Sequence, residues 1–335
     1  MNCECQNIKL SICIPTYNYG AYLRENLNVL VQEKYFNLCE VVIGDGGSSD
    51  ETRVVVEEFQ RTYKNINYVN FEIRSGIDTD LSKTANLCNG EYIWFLSADD
   101  VPVRNCISKI LYAIEQRPTC ILYDRIICDY YLNVMKKVHW SRHVVARMVD
   151  FNDQKDLVGY LSNLNSIGGI FSFMSVIVVK RDVWVCESSS TRIVAKNYQH
   201  VVRLFKILTK PDRRLFVPAE HLVFFRGDND SFAADGDFNR LMIDLRGYHR
   251  IAKDIEDKEV LYALTKVMRG EQKWYFLPKF LVRTSKRQKR LVVGYLSKFG
   301  YPWFIIQVAL AAAQFSWLIM VLRKVRRVLL RGLRS

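Results

Sequence analysis

The residues best suited to chemistry are Asp99 and Asp100, which close the run Tyr92-Ile93-Trp94-Phe95-Leu96-Ser97-Ala98. A buried apolar strand gains nothing from two adjacent carboxylates at its end unless a cation or hydrogen-bond donors meet them. A hard divalent cation, Mn2+ or Mg2+, would suit them. Such an ion takes oxygen ligands, uses one or two carboxylates, and fills its other positions with phosphate oxygens and water. The alternative is that the pair caps a helix starting near Pro102, since Pro is favoured in a first helical turn. Two other places carry comparable groups. Asp45 opens the turn-rich stretch Asp45-Gly46-Gly47-Ser48-Ser49-Asp50, where it can shape the turn or accept hydrogen bonds from a ligand. Tyr17 follows an apolar run, and its flat amphipathic ring can pack internally or lie against a planar ligand.

Strands must hold these groups. Apolar runs at 9–15, 40–44, 66–71 and 91–96 predict four of them. Between them, 22–34 carries Leu23, Leu27, Leu30 and Val31 at helical spacing, 51–63 follows Asp50 as a cap, and 81–88 predicts a short helix. Alternating strands and helices predict a parallel α/β sheet, whose ligands sit outside the carboxyl ends of the strands. Thr16-Tyr17-Asn18, Asp45 and Asp99-Asp100 all fall at such ends. That convergence favours the cation over capping. Beyond Pro102 the pattern is less regular. Residues 121–135 predict a strand or hairpin, 168–180 a strand, 198–208 an amphipathic helix, and 221–226 a strand followed by a polar loop.

IPTYN (14–18), DGGSSDET (45–52) and NGEYIWFLSADD (89–100) resemble, in this order, the three signatures of glycosyltransferase family 2. GIDTDL (76–81), GGIFSFMSVIVVKRDVW (168–184) and FRGDNDSF (225–232) resemble more loosely a bacterial O-antigen and capsule branch that includes abequosyltransferase-like enzymes. The resemblance implies an α/β GT-A fold: a Rossmann-like nucleotide-binding mixed sheet flanked by helices. It further implies a nucleotide-sugar donor and inversion at the anomeric centre. Tyr17 and Asp45 would contact the donor's base and ribose, with Pro15, Thr16, Asp78 and Ala98 in the same donor site. Asp99 would hold the Mn2+ or Mg2+ that bridges the diphosphate, with Asp100 nearby. One departure is Ser97, where many relatives carry an Asp, which leaves fewer carboxylates for the metal.

Inverting transfer requires a general base. The Glu-Asp pair that many relatives place at the head of a helix in the second half is missing here. The helix beginning near Asn197 instead carries His200, whose ordinary pKa suits the task, although a lone helical His also serves for packing. Asp182 and Glu187 are rival bases. Arg226, with Asp228 and Asn229, could close over the donor phosphate, position an acceptor, or belong to a solvated loop. Processive-synthase spacing is absent around Gln199 and Arg203, which predicts one sugar per encounter.

The net charge of +13 is not spread along the chain. Fourteen Lys or Arg and no acid lie between Gln272 and Ser335, leaving the first 271 residues with 34 basic and 35 acidic side chains. The excess therefore concerns a tail. Residues 299–322 carry no charge, enough for a helix to cross a bilayer. They are flanked by Lys286-Arg287-Gln288-Lys289-Arg290 and Arg323-Lys324-Val325-Arg326-Arg327, and positive flanks tend to stay cytosolic. The pattern predicts an in-plane or re-entrant helix held by apolar burial and anionic lipid, ahead of a single span or a soluble core helix. A long apolar run serves no purpose in a nucleic-acid tail, so no nucleic-acid partner is expected. Nine scattered cysteines, odd in number and without a paired CxxC set, predict reduced thiols; Cys3-x-Cys5 alone is a weak metal motif. The start of the chain lacks a basic segment followed by an apolar core, so the catalytic part is expected on the cytosolic side.

Three parts follow: a nucleotide-sugar-binding half (1–105), an acceptor-binding half (106–240) and a helical membrane-associated tail (241–335). Tail and resemblance together suggest a polyprenyl-diphosphate-linked saccharide acceptor. The expected location is the cytosolic face of the cytoplasmic membrane, with the protein peripheral or monotopic. Alternatives are a soluble or protein acceptor, or a catalytically inactive nucleotide-sugar-binding scaffold.

Overall fold

The computed structural model describes residues 8–188, 196–227, 229, 236–282 and 284–315. Two compact units emerge, Met1–Asp230 and Ser231–Ser335.

The first unit begins with β1 (Leu10–Thr16), α1 (Gly20–Leu30), β2 (Cys39–Asp45), α2 (Thr52–Thr62), β3 (Ile66–Asn70), α3 (Ile77–Asn86) and β4 (Tyr92–Phe95). β1, β2 and β4 are buried along their whole length, as expected of parallel strands covered on both faces. α1 turns Leu23, Leu27 and Leu30 inward, all fully buried. α3 lies flush on β1 and β2. A Cβ at Gly44 would meet Thr84 Oγ1 at 1.9 Å, so this close approach needs glycine in β2.

The second half adds β5 (Val101–Pro102), α4 (Cys106–Ile114), β6 (Cys120–Leu122), β7 (Asp124–Cys128), β8 (Val134–Val138), β9 (Arg147–Asp150) and α5 (Gln154–Ser162). It continues with β10 (Ile177–Lys180), α6 (Arg181–Ser188), α7 (Gln199–Leu208), β11 (Arg214–Val217) and β12 (His221–Arg226). The main sheet has the order β3-β2-β1-β4-β10-β6-β11-β9, and a smaller one the order β5-β12-β7-β8. The strands of the first half are parallel, whereas β10 runs antiparallel to β4 and β6, so the main sheet is mixed.

Two local expectations are corrected. Pro102 sits in β5, paired with Val223, and the next helix starts only at Cys106. Asp99 and Asp100 therefore do not cap a helix at Pro102. Residues 168–180 are not one strand: Ile167–Ile170 and Met174–Val176 form short 3-10 turns, and only Ile177–Lys180 pairs. Phe171 has a left-handed φ of 70°, and a Cβ on Gly168 would meet the Trp140 ring at 2.1 Å, so the backbone bends where an apolar run suggested extension.

The second unit is helical among its described residues: α8 (Gly236–Ala252), α9 (Lys258–Glu271), α10 (Leu277–Leu281), α11 (Lys286–Lys298) and a further helix over 303–315. Ser285 and Gln288 form a reciprocal capping box at the start of α11. Gly300, at φ +73°, ends that segment, and Pro302 precedes the next. The uncharged run 299–322 is thus broken near its start. No described helix is long and apolar enough to cross a membrane. Residues 316–335, including the second basic cluster, lie outside the described residues, as do Cys3 and Cys5. Among the described residues no disulfide forms, and all the cysteines but Cys186 are buried.

Candidate active site

Strand register brings the predicted groups to one rim. Thr16 pairs with Asp45, and Asp45 with Asn70. Cys13 pairs with Phe95, and Leu96 N–H then donates to the Cys13 carbonyl at 3.0 Å. The chain leaves β1, β2 and β4 on the same side, carrying Tyr17, Asp45 and Asp99 respectively.

Asp45 is fully buried. One carboxylate oxygen accepts from Ser48 N–H (2.9 Å) and Ser48 Oγ (2.6 Å), and the other from the Tyr68 hydroxyl (2.6 Å). The turn-shaping role is therefore realised. Three donors meet about four acceptor sites on this carboxylate, which has no exposed surface. Asn18 ties the neighbouring loops together: its N–H donates to Ser48 Oγ and its side-chain oxygen accepts from Ser49 N–H, both at 2.8 Å. Pro15 is buried at the end of β1. Thr16 Oγ1 is buried without a hydrogen-bond partner, an orphan hydroxyl at the rim. Tyr17 is half-buried, with the Arg74 guanidinium 4.4 Å from its ring centroid.

The adjacent acids have opposite environments. Asp99 is half-buried at the rim. Ser97 Oγ donates to its Oδ1 at 2.5 Å and Asn229 Nδ2 to its Oδ2 at 2.9 Å. Asp100 is turned inward and 2% exposed, with Oδ2 accepting from Ser175 Oγ at 2.5 Å. Burial, then the neighbouring Asp99 charge, raises its pKa well above the usual carboxylate range. Asp100 thus sits beneath Asp99, poorly suited to hold a cation beside it. Ser175 also accepts from Ser97 N–H at 3.0 Å, while its carbonyl accepts from Trp94 Nε1 at 2.9 Å. Asn26, fully buried in α1, donates to the Ser97 and Ala98 carbonyls at 3.1 and 3.2 Å. Ala98 is thereby packed inward, and its backbone is held from below.

Among the described residues no cluster of three or more His, Cys, Asp or Glu forms a ready-made metal cage. The donor set still fits a Mn2+ or Mg2+ ion of the kind held by one protein carboxylate, Asp99, with diphosphate and water oxygens completing its shell.

Other predicted residues serve structural tasks. Asp78 accepts from the backbone N–H groups of Asn197 (2.5 Å) and Gln199 (3.1 Å), so it caps α7. Burial raises its pKa. Arg226 is 4% exposed; it donates to the Tyr130 carbonyl at 2.6 Å and the Asp99 carbonyl at 3.3 Å, and pairs with Glu25. The Tyr22 ring lies 4.9 Å from its guanidinium. This Arg anchors the backbone of Asp99 and has little left for a phosphate. Asp228 lies outside the described residues.

His200, in the first turn of α7, places Nε2 3.0 Å from the Phe171 carbonyl, so Nε2 carries the proton. Burial pushes its pKa down to about 4, which makes it a weak base. Asp182 lies on the opposite edge of the sheet. β10 is antiparallel to β4, Lys180 pairs with Tyr92, and Arg181 N–H donates to the Glu91 carbonyl, all at the amino end of β4. Glu187 is buried and bridges Lys210 at 2.6 Å, beyond the C-terminal end of α7 and therefore at the far end from His200.

A small pocket lies in the second half. Asp124, His139, Ser141, His143, Arg147, Tyr160 and Val217 are among its lining residues. Tyr123 N–H donates to the Val176 carbonyl just before β10, which aligns the end of β6 with the carboxyl end of β4. Buried Asp124 orients the His139 ring through Nδ1 at 2.6 Å. Sequence pattern did not single out Arg74, Tyr68, Asn26, Ser175 or the Asp124–His139 pair. Their partners are distant in sequence and carry no spacing signal.

Residues 11–178 match the family model described as glycosyl transferase family 2, half of the chain. The chain belongs to glycosyltransferase family 2. This glycosyltransferase is 30% identical over 273 residues to the abequosyltransferase RfbV of Salmonella typhimurium, covering 80% of this chain and 82% of that protein. A shorter match, 28% identical over 104 residues, is to the GalNAc(5)-diNAcBac-PP-undecaprenol beta-1,3-glucosyltransferase of Campylobacter jejuni, covering 31% of this chain and 33% of that one. The S. aureus TarS 1-349 structure in complex with UDP-GlcNAc superposes with a TM-score of 0.64 at 14% identity, over 92% of this chain and 89% of that one. That likeness speaks to fold alone: a GT-A-like mixed sheet flanked by helices.

Proposed function

We propose that this family 2 glycosyltransferase transfers one sugar per encounter, with inversion, from a nucleotide-sugar donor to a polyprenyl-diphosphate-linked saccharide in cell-surface polysaccharide synthesis. The observation that carries the reading is the rim itself. Three neighbouring parallel strands, β2, β1 and β4, bring Asp45, Tyr17 and the half-buried Asp99 to one edge of the sheet, the edge at which open α/β sheets bind ligands. The similarity to RfbV and to an enzyme named for an undecaprenol-linked saccharide supports the choice of acceptor. It would work at the cytosolic face of the cytoplasmic membrane as a peripheral or monotopic protein.

In this mechanism Tyr17, with Arg74 on its ring, carries the base, and buried Asp45 shapes the Ser48 turn beneath the ribose. Asp99 would hold Mn2+ or Mg2+, which would supply positive charge to a departing diphosphate. Asp100, Ser175, Asn26 and Arg226 fix the Asp99 backbone, so that little reorganisation is needed as charge develops. The acceptor enters from the Asp124–His139 side. His200, its Nε2 committed to the Phe171 carbonyl, acts as a positioning residue for the 171–175 segment that carries Ser175.

Calorimetric titration with UDP, GDP, CDP and dTDP, each with and without Mn2+, tests this reading. One nucleotide should bind, and only with the metal. No binding by demonstrably folded protein would move the weight to an inactive scaffold. Turnover of a soluble saccharide as fast as the lipid-linked one would remove the acceptor assignment.

A further inference from the structure

Exposed aromatic rings are concentrated in the second unit, in two places far apart in sequence. Trp274, Tyr275 and Phe276 are 45–53% exposed, and Trp303 and Phe304 are 71% and 64% exposed. One knot of hydrogen bonds brings these places together. The Tyr301 hydroxyl donates to the Gln272 carbonyl at 2.6 Å, and Arg269 donates to the Gly300 carbonyl at 3.0 Å. Tyr301 and Gln272 are both buried, so the tie is part of the core. The first cluster begins two residues after Gln272, the second two residues after Tyr301. At about 3.5 Å of chain per residue, both must surface close to the knot.

The helix over 303–315 extends this surface. It buries Ile306, Ala309 and Ala313 against its own unit. It leaves Phe304, Val308, Ala311 and Phe315 exposed, spaced four, three and four residues apart and hence on one face. A helix on a water-soluble surface turns a polar face outward; this one is apolar on both. Along the chain the charge from Gln272 onward has one sign, although Asp237 pairs with Lys279. From Gln272 to the end of the sequence there are fourteen Lys or Arg and no Asp or Glu, and Lys286, Arg287 and Arg290 are exposed in α11.

We propose that this aromatic face is a docking surface for an anionic bilayer. Trp274, Tyr275, Phe276, Trp303 and Phe304 would sit in the interfacial layer, the helix over 303–315 would lie in its plane, and the basic side chains would meet lipid phosphates. Trp and Tyr suit that layer because each has an apolar body and a polar atom. Lys and Arg near an anionic surface add attraction that salt screens. A second copy of the chain is the less suitable occupant, because two such surfaces would bring like charges together. The proposal rests on the lipid-linked acceptor reading and adds where the enzyme meets the lipid.

The test uses full-length protein and flotation with vesicles of phosphatidylcholine alone or with phosphatidylglycerol. Binding should be at least about tenfold tighter to the anionic vesicles and should weaken at high salt. In a Trp317→Phe background, bromine-labelled acyl chains should quench tryptophan fluorescence, and adding Trp274→Phe with Trp303→Phe should lose most of that quenching. Trp303→Ser/Phe304→Ser and, separately, Trp274→Ser/Phe276→Ser should each weaken vesicle binding at least tenfold at unchanged nucleotide affinity. Undiminished vesicle binding by both folded double variants would overturn the proposal, as would a dimer in vesicle-free buffer that the same changes dissociate. Transfer to a short-chain, water-soluble acceptor analogue is measured without vesicles. Its absence alongside normal vesicle binding would reject the functional reading and leave the docking surface standing.

Discussion

The two halves of the rim in the first unit use their charged groups differently. In the first half, each of β1, β2 and β4 ends at the rim with a candidate group, Tyr17, Asp45 or Asp99. In the second half, the charged and titratable groups on which function was first placed are absorbed by structure. Glu187 bridges Lys210, Arg226 holds the Asp99 backbone, and His200 donates to Phe171. Asp78, in α3 of the first half and away from any strand end, is likewise absorbed, capping α7. A regular parallel βαβ unit delivers every strand end to the same edge, so position alone marks a functional group. A mixed region has no such rule. Lys180 and Asp182 leave the sheet at the edge opposite Asp99 because one strand reversed direction.

The sharpest way to test this contrast is to remove Asp99. Asp99→Asn keeps the shape and the bond from Asn229, with the Ser97 contact reversed so that the new amide donates to Ser97 Oγ, but loses the charge that holds a cation. Turnover should fall at least about a hundredfold, with melting temperature nearly unchanged. A variant within about threefold of wild type would take Asp99 out of the reaction.

Asp100→Asn should do much less, about tenfold or under, since the buried group is a hydrogen-bond partner of Ser175 and carries no ligand in the proposed mechanism. The carboxyl has a second signature. Its folded pKa is raised, so the folded state holds the proton more tightly than the unfolded one. That contribution to stability is complete below the unfolded pKa, about 3.9, and is lost as pH rises toward the folded value. Relative to wild type, metal-free Asp100→Asn should therefore gain melting temperature as pH is raised from about 4 to 8. A difference flat in pH would show that Asp100 ionises freely. A loss of turnover matching that of Asp99→Asn would put both acids on the metal.

Much of the first half was legible because its signals are local. Burial of both sheet faces makes β1, β2 and β4 continuous apolar runs, and the chain must turn polar where each strand leaves the core. Asp99 and Asp45 are visible for that reason. Local signals could not separate Asp99 from Asp100, because what distinguishes them is Ser175, 75 residues away in a segment read as a strand. Phe171 adopts a left-handed backbone there, which an apolar run such as Ile170-Phe171-Ser172-Phe173 does not announce. Asp78 was placed at the donor through motif likeness, yet its carboxylate faces α7, more than a hundred residues on. The uncharged run in the second unit looked long enough to span a bilayer, but Gly300 and Pro302 divide it.

His200 gives the smallest expected effect on turnover and the most informative one about the second half. If it positions the 171–175 segment through Nε2, then His200→Gln, which keeps an amide donor, should retain turnover within about threefold, whereas His200→Ala should lose more. A general base would behave otherwise: both changes would cost about a hundredfold or more, at unchanged donor affinity. Stability supplies an independent readout. The folded pKa is lowered to about 4, so the unfolded chain binds the proton first as pH falls. The stabilising contribution is complete above the unfolded value of about 6.5 and disappears on the way down to about 4. Wild type should therefore lose melting temperature across that window more steeply than His200→Gln. Parallel pH curves for the two proteins would mean that the imidazole is open to solvent, and would restore His200 as a base at the rim.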